Sequence, residues 1–205
     1  DTIDHQILLK KMKYIGFSIS SIKWFESYLK ERTFSVQVEE SLSTPGSLAC
    51  GVPQGSILGP LLFLLYVNDM SQAVTCDLLL YADDSCLVYQ GSDLKDIEIQ
   101  LNKDFNSLCD WFVDNKLSIH FGEDKTKSIL FGTSKKLKNL REMNISHGDI
   151  QIKQHSQVLY LGCILDNKMS GNPMASKVLG KINGKIKFLY RKQSFLNSHL
   201  KRLLC

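Results

Sequence analysis

Cysteine is sparse in this 205-residue chain and never arranged to chelate or bridge: the six, at 50, 76, 86, 109, 163 and 205, form no CxxC pair and no metal-ligand spacing. Reduced thiols among apolar neighbours are the expectation, as in an intracellular protein. Long hydrophobic runs are missing as well. The longest, Ile57 to Val67, falls well short of the roughly 20 residues that cross a bilayer, so it reads as a buried helix and no membrane partner is expected. There is no internal repeat, no low-complexity tract and no targeting signal. The chain starts at Asp1 without a methionine and stops at Cys205 in a helical-looking run, so both ends read as cuts through a longer protein. Acidic residues vanish after Asp166, whereas Lys168, Lys177, Lys181, Lys185, Lys187, Arg191, Lys192, Lys201 and Arg202 all follow it. An acidic body therefore precedes a basic end.

What is present is the make-up of a globular protein, 43% hydrophobic and 22% charged, with enough chain to bury a core. Residues 4–14 space Ile7, Leu8 and Met12 at helical intervals and stop before Gly16. A second helix is predicted over 20–31. "TFSVQVEE" alternates Phe34, Val36 and Val38 with polar residues, the period-two pattern of a half-buried strand, and a turn follows at Pro45 and Gly46. The apolar run predicts a helix over 57–72 that is covered on several sides. Residues 77–90 read as two strands with an acidic pair at their turn. Residues 92–115 form a long amphipathic helix with Ile97, Leu101, Phe105, Leu108 and Phe112 on one stripe. Strands are expected at 127–132, 149–153 and 158–164, and a helix from about 174, with Val178, Ile182, Ile186 and Leu189 on one side and lysines between them. One mixed domain over 1–172, followed by the beginning of a second over 173–205, is the simplest organisation.

The acidic pair is Asp83 and Asp84 in "LLLYADDSCLVY". Adjacent like charges repel, modestly in water and more strongly in a cleft. Aspartates that simply form a wet turn satisfy that constraint. So does a divalent metal, because hard cations take carboxylate oxygens and a hairpin tip can present an aspartate at the floor of a cleft. The doublet alone leaves both readings open. A second stretch, "GVPQGSILGPLLFLLYVND", joins a glycine-bracketed loop to the start of the apolar helix, and its glycines would let backbone approach a ligand closely. An ordinary strand-to-helix turn would look the same.

Taken with "YADD", this stretch closely resembles the reverse transcriptases, and among them those of non-long-terminal-repeat, LINE-like retrotransposons. Other pieces fall in the family's order. "DTIDH" resembles the end of its first palm motif, "DNKLSIHFGEDKTKSILFG" the fourth, and "VLYLGCILD" the fifth, the primer grip. The resemblance implies an α+β fold: a right-hand palm with a mostly antiparallel sheet backed by helices, then the start of a helical thumb. It also implies that the family's first metal-binding aspartate and its sugar-selecting aromatic lie upstream of Asp1, as do the fingers. The fragment would then hold part of a site, be inactive alone, and expose surface that those segments cover.

The implied chemistry is template-directed attack of a primer 3′-hydroxyl on a nucleotide α-phosphate, assisted by two Mg²⁺ ions, or Mn²⁺ in their place. Asp83 would be the metal ligand and Asp84 a supporting carboxylate. Pro53, Gln54 and Gly55, with Tyr81 and Ala82, would meet the template and incoming nucleotide, and Lys125 the nucleotide phosphates. Tyr160, Leu161 and Gly162 would position the primer; each of these also reads as ordinary loop, surface or strand. The basic run, with Lys177, Lys181 and Lys185, suits duplex phosphates, with Gly180 and Gly184 leaving room for close approach. Expected partners are an RNA template, a DNA primer or RNA–DNA hybrid, dNTP, and upstream fingers or endonuclease and downstream thumb segments of the same polyprotein. The family places such proteins in the nucleus or in cytoplasmic ribonucleoprotein. A non-catalytic nucleic-acid-binding relic and a group II intron-type reverse transcriptase are the alternatives.

Overall fold

The computed structural model describes residues 2–53, 55–122 and 125–192, and the chain divides into two compact units. The first is Asp1–Phe121 with Asn144–Gln151, and the second Gly122–Met143 with Ile152–Cys205. Helices and small antiparallel sheets are mixed throughout, an α+β fold.

In the first unit, helix α1 (His5–Ile15) begins where the Asp4 carboxylate accepts the N–H groups of Gln6 and Ile7, and ends at Gly16 in a left-handed conformation, φ 100°. Helix α2 (Ile19–Leu29) is capped by Ser18, whose hydroxyl accepts from the Ser21 N–H. Four two-residue strands follow: β1 (Thr33–Phe34), β2 (Gln37–Val38), β3 (Ser41–Leu42) and β4 (Gly46–Ser47). β1 pairs with β4 and β2 with β3, both antiparallel. The single half-buried strand expected from the alternation at 33–40 is thus corrected. Phe34, Val36 and Val38 are all exposed, although the Phe34 ring lies over Gly46 of β4. Periodicity reports which side chains share a face, not whether the face is buried.

Helix α3 spans Leu58–Val67 and is followed by a 3₁₀ turn at Met70–Ala73. Strands β5 (Asp77–Tyr81) and β6 (Asp84–Val88) form an antiparallel hairpin, and helix α4 (Leu94–Asp114) closes the unit's main run. α3 is shorter than expected and is not covered all round. Gly59, Leu62, Tyr66 and Val67 are buried, whereas Leu61 and Leu64 are half exposed and Ile57 stands 96% exposed. The core takes one side of α3: Leu62, Tyr66, Val67 and Met70 pack with Ile3, Leu8, Met12, Leu29 and Leu108.

Tyr66 lies at the centre, fully buried, and its hydroxyl donates to the Asn115 carbonyl just past α4 (2.6 Å). Lys11 lies against the Tyr66 and Trp111 rings and donates to the Tyr66 carbonyl (2.7 Å) and the Asp69 carboxylate (2.6 Å). Burial pulls the Lys11 ammonium below its usual range, and Asp69 opposes the shift.

Short strands β7 (Ile145–His147) and β8 (Ile150–Ile152) pair with each other. β7 is fastened to α4 by side chains one turn apart. Glu98 accepts the Asn144 N–H (2.7 Å), Asn102 accepts the Ser146 N–H (2.9 Å), and Asn106 donates to the Ser146 carbonyl (3.2 Å). α4 thereby satisfies a strand edge that would otherwise stay open.

In the second unit, a one-turn helix α5 (Ser134–Leu137) precedes β9 (Gln157–Tyr160) and β10 (Cys163–Asp166), an antiparallel hairpin, and then helix α6 (Asn172–Lys192). The strand expected over 158–164 is therefore two strands: Leu161 and Gly162 both have positive φ, 47° and 84°, and reverse the chain. At 127–132 the structure shows only an isolated bridge, Ser128 to Gln154. Among the described residues, sheets contain two strands each.

Replacing Tyr66 by Phe removes one hydroxyl and leaves the Asn115 carbonyl without its donor. The expected cost is about 1–2 kcal/mol, a fall of about 3–6 °C in melting temperature for a chain of this size. Thermal melts followed by circular dichroism check this, and an unchanged midpoint would contradict the central place given to Tyr66.

Candidate catalytic hairpin

The β5–β6 register runs from Asp77 opposite Val88 to Tyr81 opposite Asp84. Side chains alternate across such a ladder. Leu78 and Leu87, directly opposite each other, pack against the core, while Asp84 shares the other face with Tyr81, Leu79 and Cys86. Toward the tip the hairpin leaves the protein, with Leu79, Leu80 and Tyr81 exposed. Ala82 and Asp83 make the two-residue turn. Ala82 takes a positive φ of 51° where glycine is the usual choice, a strain of about 1 kcal/mol held in place by the strands behind it.

Asp83 and Asp84 are both exposed, and neither forms an ion pair among the described residues. Water screens their mutual repulsion, which is how two adjacent charges are tolerated here. Among the described residues no group of three or more His, Cys, Asp or Glu side chains is gathered for a metal. Two solvent-facing carboxylates without a cationic partner suit a hard divalent cation. They supply part of a ligand set, and further oxygen donors are needed to complete it.

The loop before α3 is held at both ends. The Gly51 N–H donates to the Ile3 carbonyl (2.8 Å), and His5 Nε2 donates to the Gly51 carbonyl (2.7 Å). Ser56 Oγ donates to the Pro53 carbonyl (2.7 Å) and accepts the Gly59 N–H (2.9 Å) at the start of α3. Gly55, at φ 75°, is exposed, with open space where a Cβ would stand. At Gly59, by contrast, a Cβ would sit 3.1 Å from the Pro53 carbonyl, so this glycine serves the chain's own packing. Gln54 lies outside the described residues, as does Asp1.

The remaining candidates belong to the second unit. Lys125 is exposed in a turn closed by its N–H to the Gly122 carbonyl (2.8 Å). Tyr160 ends β9, and Leu161 and Gly162 form the turn into β10. At the end of β10 the Asp166 carboxylate accepts the N–H groups of Ser170 (3.1 Å), Gly171 (3.0 Å) and Lys168 (3.3 Å), which hold it below its usual range and shape the approach to α6. Lys177, Lys181 and Lys185 follow one another at helical spacing along α6, the first half-buried and the others exposed. Val178, Ile182 and Ile186 are exposed too, and Gly180 and Gly184 have open space around them. Lys201 and Arg202 lie outside the described residues.

Residues 1–165 match the family described as reverse transcriptase (RNA-dependent DNA polymerase). The chain belongs to the reverse transcriptase family. The curated relatives it matches come from mobile elements. The probable RNA-directed DNA polymerase from transposon BS of Drosophila melanogaster is 31% identical over 183 residues, covering 84% of this chain and 19% of its own length. That from transposon X-element of the same fly is 28% identical over 169 residues, 78% of this chain and 18% of its own. The RNA-directed DNA polymerase from its mobile element jockey is 27% identical over 178 residues, 83% and 19%. The resemblance to non-LTR retrotransposon reverse transcriptases is thereby borne out. This reverse transcriptase segment spans about a fifth of the length of the curated relatives it matches. No helix among its described residues is long and apolar enough to cross a membrane.

Sequence reasoning missed Asp104, on α4. Buried at 1% exposure, it accepts hydrogen bonds from Thr75, Cys76 and Gln100, immediately before β5. Its signal lay in the helical stripe: Asp104 stands between Leu101 and Leu108, on the face that α4 buries. Burial pushes its carboxyl upward, but the hydrogen bonds from Cys76, Gln100 and Thr75 outweigh burial and hold it at about 2. Conversely, burial and the neighbouring carboxylate push the Cys76 thiol up to about 12.

Because the Asp104 value is depressed from 3.8, its contribution is whole above pH 4 and is lost as pH falls toward 2; the difference corresponds to about 2 kcal/mol. Asp104→Asn should be less stable than the wild type by at least that much at neutral pH, with the gap narrowing between about pH 4 and 2. Denaturant titrations across that range check it; a gap independent of pH would contradict the ionised, hydrogen-bonded carboxylate.

Proposed function

We propose that this segment supplies the acidic hairpin of an RNA-directed DNA polymerase, with a right-hand palm over 1–172 and the start of a thumb over 173–205. The observation that carries the reading is the β5–β6 hairpin, which exposes two carboxylates with no ion pair among the described residues, Asp83 in a strained turn and Asp84 at the start of β6. Family membership supports it. The reaction joins a primer 3′-oxygen to the α-phosphorus of a dNTP opposite an RNA template and breaks the bond to pyrophosphate. Asp83 would be the principal ligand for Mg²⁺, or for Mn²⁺ in its place, and Asp84 would add negative field beside it. When bound, the two ions supply positive charge to the attacking and leaving oxygens.

The chain's own residues then divide the remaining work. Gly51 is tied to Ile3 and His5, and Pro53 to Ser56, which suits Pro53 and Gly55 to present backbone to the nascent pair, with Gln54 proposed as the polar reader. Tyr81 and Ala82 border the same tip as Asp83. Lys125 is the candidate for the nucleotide phosphates. Leu161 spends backbone strain to sit at a hairpin turn beside Tyr160 and Gly162, which suits a tip that contacts a primer. Lys177, Lys181 and Lys185 offer sequence-independent contacts to a nucleic-acid backbone. A non-catalytic nucleic-acid-binding segment is the second reading, favoured by α6, whose basic face would serve it equally.

Primer extension on an RNA template, with Mg²⁺ and the full-length protein, separates the two. Asp83→Asn should lower synthesis by at least about 10³-fold with primer–template binding retained. Substantial residual synthesis, or binding without synthesis by the unaltered protein, would overturn the polymerase reading.

A further inference from the structure

The acidic hairpin hangs, at its far end, from one buried carboxylate. Asp104 Oδ1 accepts the Thr75 N–H and hydroxyl, each at 3.1 Å, and Oδ2 accepts the Cys76 N–H at 2.8 Å and Gln100 Nε2 at 3.2 Å. The Thr75 hydroxyl also lies 3.1 Å from Oδ2, and Gln100 donates to that hydroxyl as well. Thr75 and Cys76 are the two residues before β5 begins at Asp77. Burying a carboxylate is costly, and this one is compensated by donors from both the backbone and side chains of one short segment.

Among the described residues, nothing comparable holds the other end. Above the Leu78–Leu87 pair, Leu79, Leu80 and Tyr81 are exposed, so the direction of the tip is set at the base. From Cys76 to the turn is roughly 17 Å of strand. A tilt of about 5° at the base displaces the tip by about 1.5 Å, and displacements of that size can lower a rate about a hundredfold.

We infer that Asp104 is a positioning residue for the acidic hairpin, fixing through Thr75 and Cys76 the direction from which Asp83 and Asp84 meet the reacting phosphate. The inference rests on the proposed polymerase function. Gln100 assists by holding the Thr75 hydroxyl toward the carboxylate. Asp104 touches no substrate; its effect reaches the reaction only along β5.

The test is steady-state primer extension on an RNA template by the full-length protein, well below its melting temperature, with Mg²⁺ varied. Asp104→Asn and Thr75→Val should lower kcat at least about tenfold and raise the Mg²⁺ concentration for half-maximal rate several-fold. KM for primer–template should stay within about twofold, and Thr75→Ser, which keeps the hydroxyl, should restore the wild-type values. Thr75→Val removes only the hydroxyl that donates to Asp104 and accepts from Gln100, and answers the question even if Asp104→Asn fails to fold. Folded Thr75→Val protein with wild-type kcat and Mg²⁺ dependence would overturn the inference, as would losses that Thr75→Ser shares. Asp83→Asn run alongside keeps the two claims apart. If it stays active, the polymerase reading itself has failed; if it is dead while Thr75→Val is normal, only the positioning role has.

Discussion

Two carboxylates on adjacent residues cannot both be drawn into a protein without help, and this constraint shapes the hairpin that carries Asp83 and Asp84. The chain leaves them in water at the hairpin tip, Asp83 in the turn and Asp84 at the start of β6, and puts the organisation elsewhere. Strain at Ala82 is tolerated because β5 and β6 over-determine the turn. Those strands are in turn fixed at their base by the Leu78–Leu87 contact with the core and by the Asp104 network. At this hairpin the buried carboxylate at the base is the partnered one, while Asp83 and Asp84 at the tip are exposed and form no ion pair among the described residues.

The same division runs through the rest of the first unit. Tyr66 joins α3 to the end of α4, and Lys11 joins α1 to α3 across two aromatic faces and one carboxylate. These contacts steady the start of α1, from which Ile3 and His5 grip Gly51 and so the loop before α3. Core packing and loop geometry are therefore one problem: loosening the Tyr66 contacts should be felt at Gly51 as well as in the melting temperature. In the second unit Asp166 plays the corresponding part, gathering backbone N–H groups between the β9–β10 hairpin and α6.

Where local pattern and tertiary burial agreed, the sequence was readable. α1, α2 and α4 lie within a residue or two of their expected limits, because caps such as Asp4 and Gly16 and a clear apolar stripe mark them. The acidic hairpin was readable for the same reason. Strands failed where one residue decided. A positive φ at Leu161, a residue that rarely adopts it, split the expected strand over 158–164, and only Gly162 hinted at this. The alternation over 33–40 was real but faced solvent, and α3 was apolar all round yet covered on one side; composition cannot say what lies opposite. At the site, the exposed aspartates were conspicuous in "YADD". Asp104 was not, since recognising it required seeing Thr75 and Cys76 turn their donors toward α4.

The most direct measurement is Mn²⁺ titration of this chain followed by paramagnetic broadening of its amide NMR signals. If Asp83 and Asp84 are the metal-holding carboxylates, broadening begins at residues 81–85 and disappears with Asp83→Asn. Broadening that starts at other acidic residues, or persists unchanged in that variant, would contradict the account.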